Sequence, residues 1–232
     1  MPGTRGRRGD ERGPALSQAA EDYLKAIYKL EAAGEDATTS ALAALLGISD
    51  ASVTSMSKRM AQLGLVHHTP YHGVALTPAG RKIALEVIRH HRLLELYLAE
   101  VLGYGWDEVH AEADRLEHVI SEEFEERIDA LLGRPTVDPH GDPIPSKDLE
   151  LVEPVLIPLA ALEPGRPAII QRVSDRDPAM LRYLASLGMF PSVPVLVREH
   201  APFGGPIHVR IGEAEHALGR DLAAHVFVRP SD

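Results

Sequence analysis

The sequence predicts a multi-domain, mainly α chain that ends in a small β-barrel. Apolar residues recur at helical spacing through most of residues 17–132. Within that run, two short helices flank a tight turn in the manner of a helix-turn-helix. Past a Pro- and Gly-rich stretch, the pattern changes to short apolar strands.

Residues 1–15, rich in Arg and Gly, read as a flexible tail. From Ser17, the residues Ala20, Tyr23, Leu24, Ile27 and Tyr28 mark one face of a helix that ends at Gly34. A short helix follows, opened by Thr38 or Thr39 and closed at Gly47. After a turn comes a second helix, capped by Ser49 and ended by Gly64. "LVHHTPYHGVAL" reads as two strands around a Pro and Gly turn, a wing, so that residues 16–80 form a winged helix-turn-helix domain.

Thr77 and Pro78 supply the N-cap and first-turn proline of a long helix ending near Gly103. A second long helix is expected from Asp107 to about Leu132, with Val109, Ala113, Leu116, Ile120 and Phe124 as its core stripe. Residues 81–135 are thus a helical dimerisation or scaffold unit, and residues 136–160 a Pro-rich linker. The barrel occupies residues 161–232, with strands in "PAIIQRVS", "VPVLVREH", "IHVRIGE" and "HVFVRP" and one inserted helix, "PAMLRYLASLG".

Composition narrows the chemistry. With 44% hydrophobic and 25% charged residues, the mixture is that of a soluble globular protein. No apolar run approaches the roughly 20 residues that cross a bilayer, so a cytoplasmic protein with no membrane partner is expected. There is no cysteine, which excludes disulfides, thiolate zinc sites and cysteine nucleophiles; any metal must be held by oxygen and imidazole nitrogen. The net charge of −10 is uneven: residues 1–80 carry eight Lys/Arg against eight Asp/Glu, whereas residues 81–133 carry six against thirteen. The first third is therefore free to meet a polyanion, and the middle attracts cations.

One position beyond the apolar stripe, His110, Asp114 and Glu117 fall about 100° round the helix, on the edge of its buried face. Asp114, Glu117 and His118, at i, i+3 and i+4, can converge on one ion, and the preceding helix offers His91 and Glu95 as an i, i+4 pair. Oxygen plus imidazole suits manganese or iron(II). Taken singly, each of these residues is better read as solvated or as paired with Arg92 or Arg115. Two such clusters on successive helices argue for a joint role. In the second helix of the helix-turn-helix, Ser49, Ala51, Ser52, Thr54 and Ser55 would face a DNA groove, with Lys58 and Arg59 further along. No arginine stands at its start to read guanine, so phosphates and DNA shape should carry much of the selectivity. His67, His68 and His72 read as exposed wing residues rather than as a metal site, and Gly204 and Gly205 as a hairpin turn.

The stretches "EDYLKAIYKLE", "SDASVTSMSKRM", "LTPAGRKIALEVIRHHRLLELYL", "VHAEADRLEHVISEE" and "DPHGDPIPS" together resemble the diphtheria toxin repressor and manganese transport regulator family of metal-dependent transcription factors, over residues 17–230. The resemblance implies a winged helix, a helical dimerisation domain and a C-terminal SH3-like barrel. It also implies two metal sites, one from Asp22, Asp114, Glu117 and His118, the other from His91, Glu95 and His110, completed from the barrel by Asp175 or Asp177. Asp177, before Pro178, is also a natural helix N-cap. Iron-type members hold a methionine and a cysteine at the positions of Asp22 and Asp114, so hard oxygen at both points to manganese, with iron(II) as the alternative ion. Short manganese regulators carry a glutamate where this chain has Lys25, so the closely spaced two-ion cluster of those members lacks that ligand here.

On this resemblance, the expected function is that of a homodimer that binds a palindromic double-stranded DNA operator when loaded with manganese and represses metal-uptake genes. Metal would narrow the range of spacings between its two DNA-binding units. Two rival readings are a metallo-hydrolase that activates water at the carboxylate and imidazole cluster, and a winged-helix regulator indifferent to metal.

Overall fold

A computed structural model describes residues 16–69 and 73–231; the expected tail at residues 1–15 and His72 lie outside them. The chain divides into two compact units, Met1–Ala84 and Leu85–Asp232.

In the first unit, helix α1 (Gln18–Ala32) precedes α2 (Thr39–Leu46) and α3 (Asp50–Gln62). The caps follow the sequence. Thr38 Oγ1 accepts the Ala41 N–H at 3.1 Å, Gly47 closes α2 in the left-handed region at φ 65°, and Ser49 Oγ accepts the Ser52 N–H at 3.2 Å. The buried residues Tyr23, Leu24, Ile27, Leu42, Val53 and Met60 fill the interior of the unit. Tyr23 Oη and Ser57 Oγ, 2.5 Å apart, bond inside it. The wing is β1 (Val66–Thr69) paired antiparallel with β2 (Gly73–Leu76). It is held to α1 by Glu31, whose Oε1 accepts the Leu76 N–H at 2.8 Å and whose Oε2 accepts from Arg81 at 2.9 Å. Gly73 is required where β2 begins, because a Cβ there would stand 2.1 Å from the Ala37 carbonyl oxygen.

Helix α4 (Pro78–Glu100) starts as expected, with Thr77 Oγ1 accepting the Gly80 N–H at 3.1 Å, and carries the chain into the second unit. Here the expected second long helix is corrected: it is two helices, α5 (Val109–Leu116) and α6 (Glu122–Leu131). Ser121 is the cause. Its Oγ accepts the Phe124 N–H at 3.2 Å, and Glu122, Glu123 and Glu125 fill the first turn of α6, where the helix dipole favours carboxylates. The break also ends the apolar stripe. Val109 and Ala113 are buried as expected, but Phe124 is exposed, and Ile128 takes its place in a core with Leu93, Leu94 and Leu98.

The segment expected to be a linker contributes packing at its beginning. Ile144 joins that same core, Val137 bridges Pro143, and Asp138 and His140 are buried.

The C-terminal strands are β3 (Ile157–Pro158), β4 (Pro167–Val173), β5 (Pro194–His200), β6 (Ile207–Ile211), β7 (Ala214–Leu218) and β8 (Val226–Pro230), with α7 (Pro178–Ser186) after β4 and α8 (Arg220–Ala224) after β7. They form one antiparallel sheet in the order β3-β8-β4-β5-β6-β7. The expected barrel is thus corrected to a small open sheet: among the described residues no ladder joins β7 to β3. Bulges between Ile170 and Arg172 and between Val197 and Glu199 bend the sheet. Its core gathers Leu159, Ile170, Leu181, Leu184, Val197 and Val228, each worth about 1.5–3 kcal/mol when fully buried. Strand β7 escapes sequence reading because it is an edge strand with mostly exposed residues and lacks an apolar alternation.

Candidate metal centre and nucleic-acid interface

Four side chains from three parts of the second unit converge. His91 and Glu95, one turn apart on α4, point at His110 on α5: His91 Nε2 lies 3.0 Å from Glu95 Oε1 and 3.0 Å from His110 Nδ1, and His110 Nδ1 lies 2.9 Å from Glu95 Oε1. Asp175, in the loop between β4 and α7, brings Oδ2 to 3.1 Å from the same His110 nitrogen. One ligand atom from each of the four lies within 4.8 Å of the others. His91 and Glu95 are 4% and 1% exposed and His110 and Asp175 are half-buried, so the cluster is set into the fold and is not a solvated helix edge.

The electrostatics follow from that burial. Burial alone would lower the His110 pKa, but hydrogen bonds to Asp175 and Glu95, and their charges, push it up to about 10. Burial acts to raise Glu95, yet the charge of His91 and bonds from both imidazoles hold its carboxyl well below the usual range.

The second donor set adjoins the first through His91. Its Nδ1 stands 2.5 Å from Glu117 Oε2 and 3.3 Å from Asp114 Oδ1, while Glu117 Oε1 lies 3.3 Å from His118 Nε2. The break after α5 makes this arrangement, since Glu117 is the C-cap of α5 and His118 leaves the helix immediately after it. His91 therefore belongs to both sets. Asp22 lies on α1 in the first unit, half-buried. Asp177 serves α7 instead: its Oδ1 accepts the Ala179 N–H at 2.8 Å as the N-cap, with Pro178 at the first position.

Sequence reading missed Asp138, His140 and His90. Asp138 Oδ1 accepts the main-chain N–H of His140 at 2.8 Å and of Asp142 at 2.9 Å, shaping the turn in "DPHGDP". Burial, with the charges of Glu95 and Asp142, pushes its carboxyl well above the usual range. The Asp-x-x-Gly-Asp turn was legible; its proximity to α4 was not. His90, with Glu86 and Glu122, forms another potential ligand group. Its two ring nitrogens, however, are engaged by the Glu117 carbonyl at 3.0 Å and by Glu125 Oε2 at 3.1 Å, which makes it a structural cation.

On α3, Ala51, Ser52, Thr54, Ser55, Lys58 and Arg59 are exposed, whereas Val53, Ser57 and Met60 are buried. Ser49 is exposed too, but its hydroxyl caps the helix, and Thr54 Oγ1 donates to the Asp50 carbonyl at 2.9 Å. The exposed face presents two cations and short hydroxyls, a chemistry suited to phosphate and base-edge contacts. His67 and His68 are exposed on β1.

Three family models match the chain in order: iron dependent repressor, N-terminal DNA binding domain, over residues 15–74; iron dependent repressor, metal binding and dimerisation domain, over residues 77–146; and FeoA domain, over residues 157–230. The iron-dependent repressor IdeR of Mycobacterium leprae is 34% identical over 226 residues, covering 92% of this chain and 97% of that protein. The diphtheria toxin repressor of Corynebacterium diphtheriae is 38% identical over 133 residues, 57% of this chain and 59% of that one. Among solved structures, a manganese-dependent transcriptional repressor in complex with manganese is 40% identical, with a TM-score of 0.85, covering 91% of this chain and all of that one. ScaR with bound Cd2+ is 32% identical, with a TM-score of 0.78, over 90% of this chain and 98% of that one.

Proposed function

The chain belongs to the iron-dependent repressor family, and from that premise we propose that it is a homodimeric, metal-responsive transcriptional repressor that uses manganese and binds a palindromic operator. The observation that carries this reading is the convergence of His91, Glu95, His110 and Asp175 in one cluster around a buried His91 and Glu95 pair, within a chain that also exposes Lys58 and Arg59 on a recognition helix.

The donors fit a divalent ion. They are two imidazoles and two carboxylates, with no thiolate in the chain. When bound, such an ion supplies positive charge that offsets the burial of the Glu95 carboxylate beside these groups. His91 offers one ring nitrogen to each donor set, so ordering either set restrains the other. Asp22 of α1 completes the set of Asp114, Glu117 and His118 in this reading, as the family resemblance implies. Closing that set restrains the DNA-binding unit, and by linkage operator DNA must in turn tighten metal binding. Relatives are named for iron and for manganese alike. Manganese is favoured here by the hard oxygen ligands that Asp22 and Asp114 provide. The hydrolase alternative is not retained, because the relatives are repressors.

The test is retention of the protein on operator DNA at fixed salt with chelator, manganese, iron(II) or zinc. Manganese should strengthen binding by about an order of magnitude or more, and Asp22→Ala should abolish the gain. Binding that is equally tight in chelator would overturn the reading.

A further inference from the structure

Two buried acceptor atoms face each other across the gap between α4 and the turn at residues 138–142. Glu95 Oε2 and His140 Nδ1 are 3.9 Å apart, and neither has a hydrogen-bond partner. Their residues are 1% and 0% exposed. The tautomer of His140 follows from its other nitrogen: Nε2 lies 2.9 Å from the main-chain oxygen of Trp106, which can only accept. Nε2 therefore donates to that oxygen, and the unpartnered Nδ1 faces a carboxylate. A protonated Nδ1 would donate to that carboxylate, but 3.9 Å is too long for a hydrogen bond.

A third donor joins them. One carboxylate oxygen of Asp138, with Glu95 and His140, lies within 4.8 Å of the other two ligand atoms, and all three residues are buried. Asp138 Oδ1 is engaged by the turn, and Oδ2 stands 3.9 Å from Arg92 Nε. The Arg92 guanidinium otherwise donates to the Pro143 carbonyl and meets Asp142 Oδ1 at 3.3 Å. An imidazole whose far N–H is fixed by a main-chain carbonyl is the outer-shell arrangement found behind metal-bound histidines. Ligand bonds of about 2.0–2.2 Å to nitrogen and oxygen let one ion reach two atoms set 3.9 Å apart.

We infer that Glu95, Asp138 and His140 form a further site for a divalent cation of the manganese or zinc class, sharing the Glu95 carboxylate with the set of His91, His110 and Asp175. The inference deepens the proposed function, since Glu95 Oε1 belongs to that reading and Oε2 to this site. The site has a structural consequence. The His140 carbonyl accepts the Val173 N–H at 2.9 Å, two residues before Asp175. Fastening the turn to α4 therefore steadies the strand end from which Asp175 reaches His110, and filling one site strengthens the other.

The experiment counts manganese bound per chain by equilibrium dialysis of the metal-free full-length protein, with manganese alone and no DNA. Wild type should hold one more ion per chain than His140→Gln, and Asp138→Asn should weaken that ion by at least about tenfold. Asp138→Asn preserves the acceptor that shapes the turn, so it decides the matter by the same count should His140→Gln fail to fold. A paired-manganese signal in electron paramagnetic resonance should be present in wild type and lost in His140→Gln. Equal counts in wild type and the folded variants, with the His140 Nδ1 nitrogen resonance unmoved by zinc, would overturn the site. A normal count with operator binding indifferent to manganese would instead sink the regulator reading and leave the site standing.

Discussion

His90 joins helix α4 to the break between α5 and α6, its Nδ1 donating to the main-chain carbonyl of Glu117 at 3.0 Å while its Nε2 donates to Glu125 at 3.1 Å. Both partners are acceptors, so both ring nitrogens carry hydrogen and the ring is a buried cation. Burial alone would lower its pKa, but the bond and charge of Glu125 and the bond to Glu117 raise it above the ordinary 6.5. Burial likewise acts to raise Glu125, whereas bonds from His90 and Arg89 hold it below the ordinary 4.5.

Replacing His90 with Gln should therefore lower the unfolding free energy by about 1–3 kcal/mol, the usual result of depriving buried acceptors of a donor. The sign of its pH dependence follows from the shifts. A raised histidine contributes fully below 6.5 and loses that contribution as pH rises through its folded value; a lowered glutamate contributes above 4.5 and loses it as pH falls through its own. The gap between wild type and His90→Gln should be widest between 4.5 and 6.5 and narrow in alkali. Urea unfolding over a pH series from about 5.5 into alkali measures it. A gap that stays constant throughout that series would contradict the raised pKa of His90.

Metal binding should depend steeply on pH. With its pKa at about 10, His110 is protonated in the metal-free protein near neutrality and must lose that proton to act as a ligand. Manganese affinity should rise up to about tenfold per pH unit below that value, with close to one proton released from His110. Asp175→Asn removes a charge that raises His110, so it should flatten the slope even as it removes a ligand. Calorimetric titration in buffers of different ionisation enthalpy reads the proton count directly, and a pH-independent affinity would contradict the assignment of His110.

On the DNA side, Lys58→Ala and Arg59→Ala should weaken binding to operator and to unrelated DNA alike. Each lost phosphate contact should reduce the slope of log affinity against log salt by about 0.9. A selective loss on operator alone would reassign the residue to base reading. Fluorescence anisotropy across a salt series distinguishes the outcomes.

Gly141 should not tolerate a side chain. It holds φ 90°, and a Cβ would stand 1.9 Å from the Gln171 carbonyl oxygen on β4. Gly141→Ala should therefore cost more than about 2 kcal/mol and weaken manganese binding through Asp175. Gly165→Ala, at φ 82° with nothing within 4 Å of the added Cβ, carries backbone strain alone and should cost about 1 kcal/mol. Thermal unfolding of the two metal-free variants makes the comparison, and equal losses would mean that the close approach to Gln171 relaxes.

Features set by neighbours three or four residues apart are legible along the chain. Thr38, Gly47, Ser49 and Thr77 cap or close the elements where the local pattern places them, and the pairing of His91 with Glu95 follows from one helical turn. Local pattern also contains the break, Ser121 before three glutamates, but the apolar period runs on past it and masks the cap. Long-range packing instead selects Asp175 over Asp177 as the partner of His110, and turns His140, in a segment that reads as a linker, toward Glu95. Those partners are 65 and 45 residues apart. They are brought together by the packing of Ile144 into the helical core and of strand β4 against the 138–142 turn, through contacts that no spacing along the chain encodes.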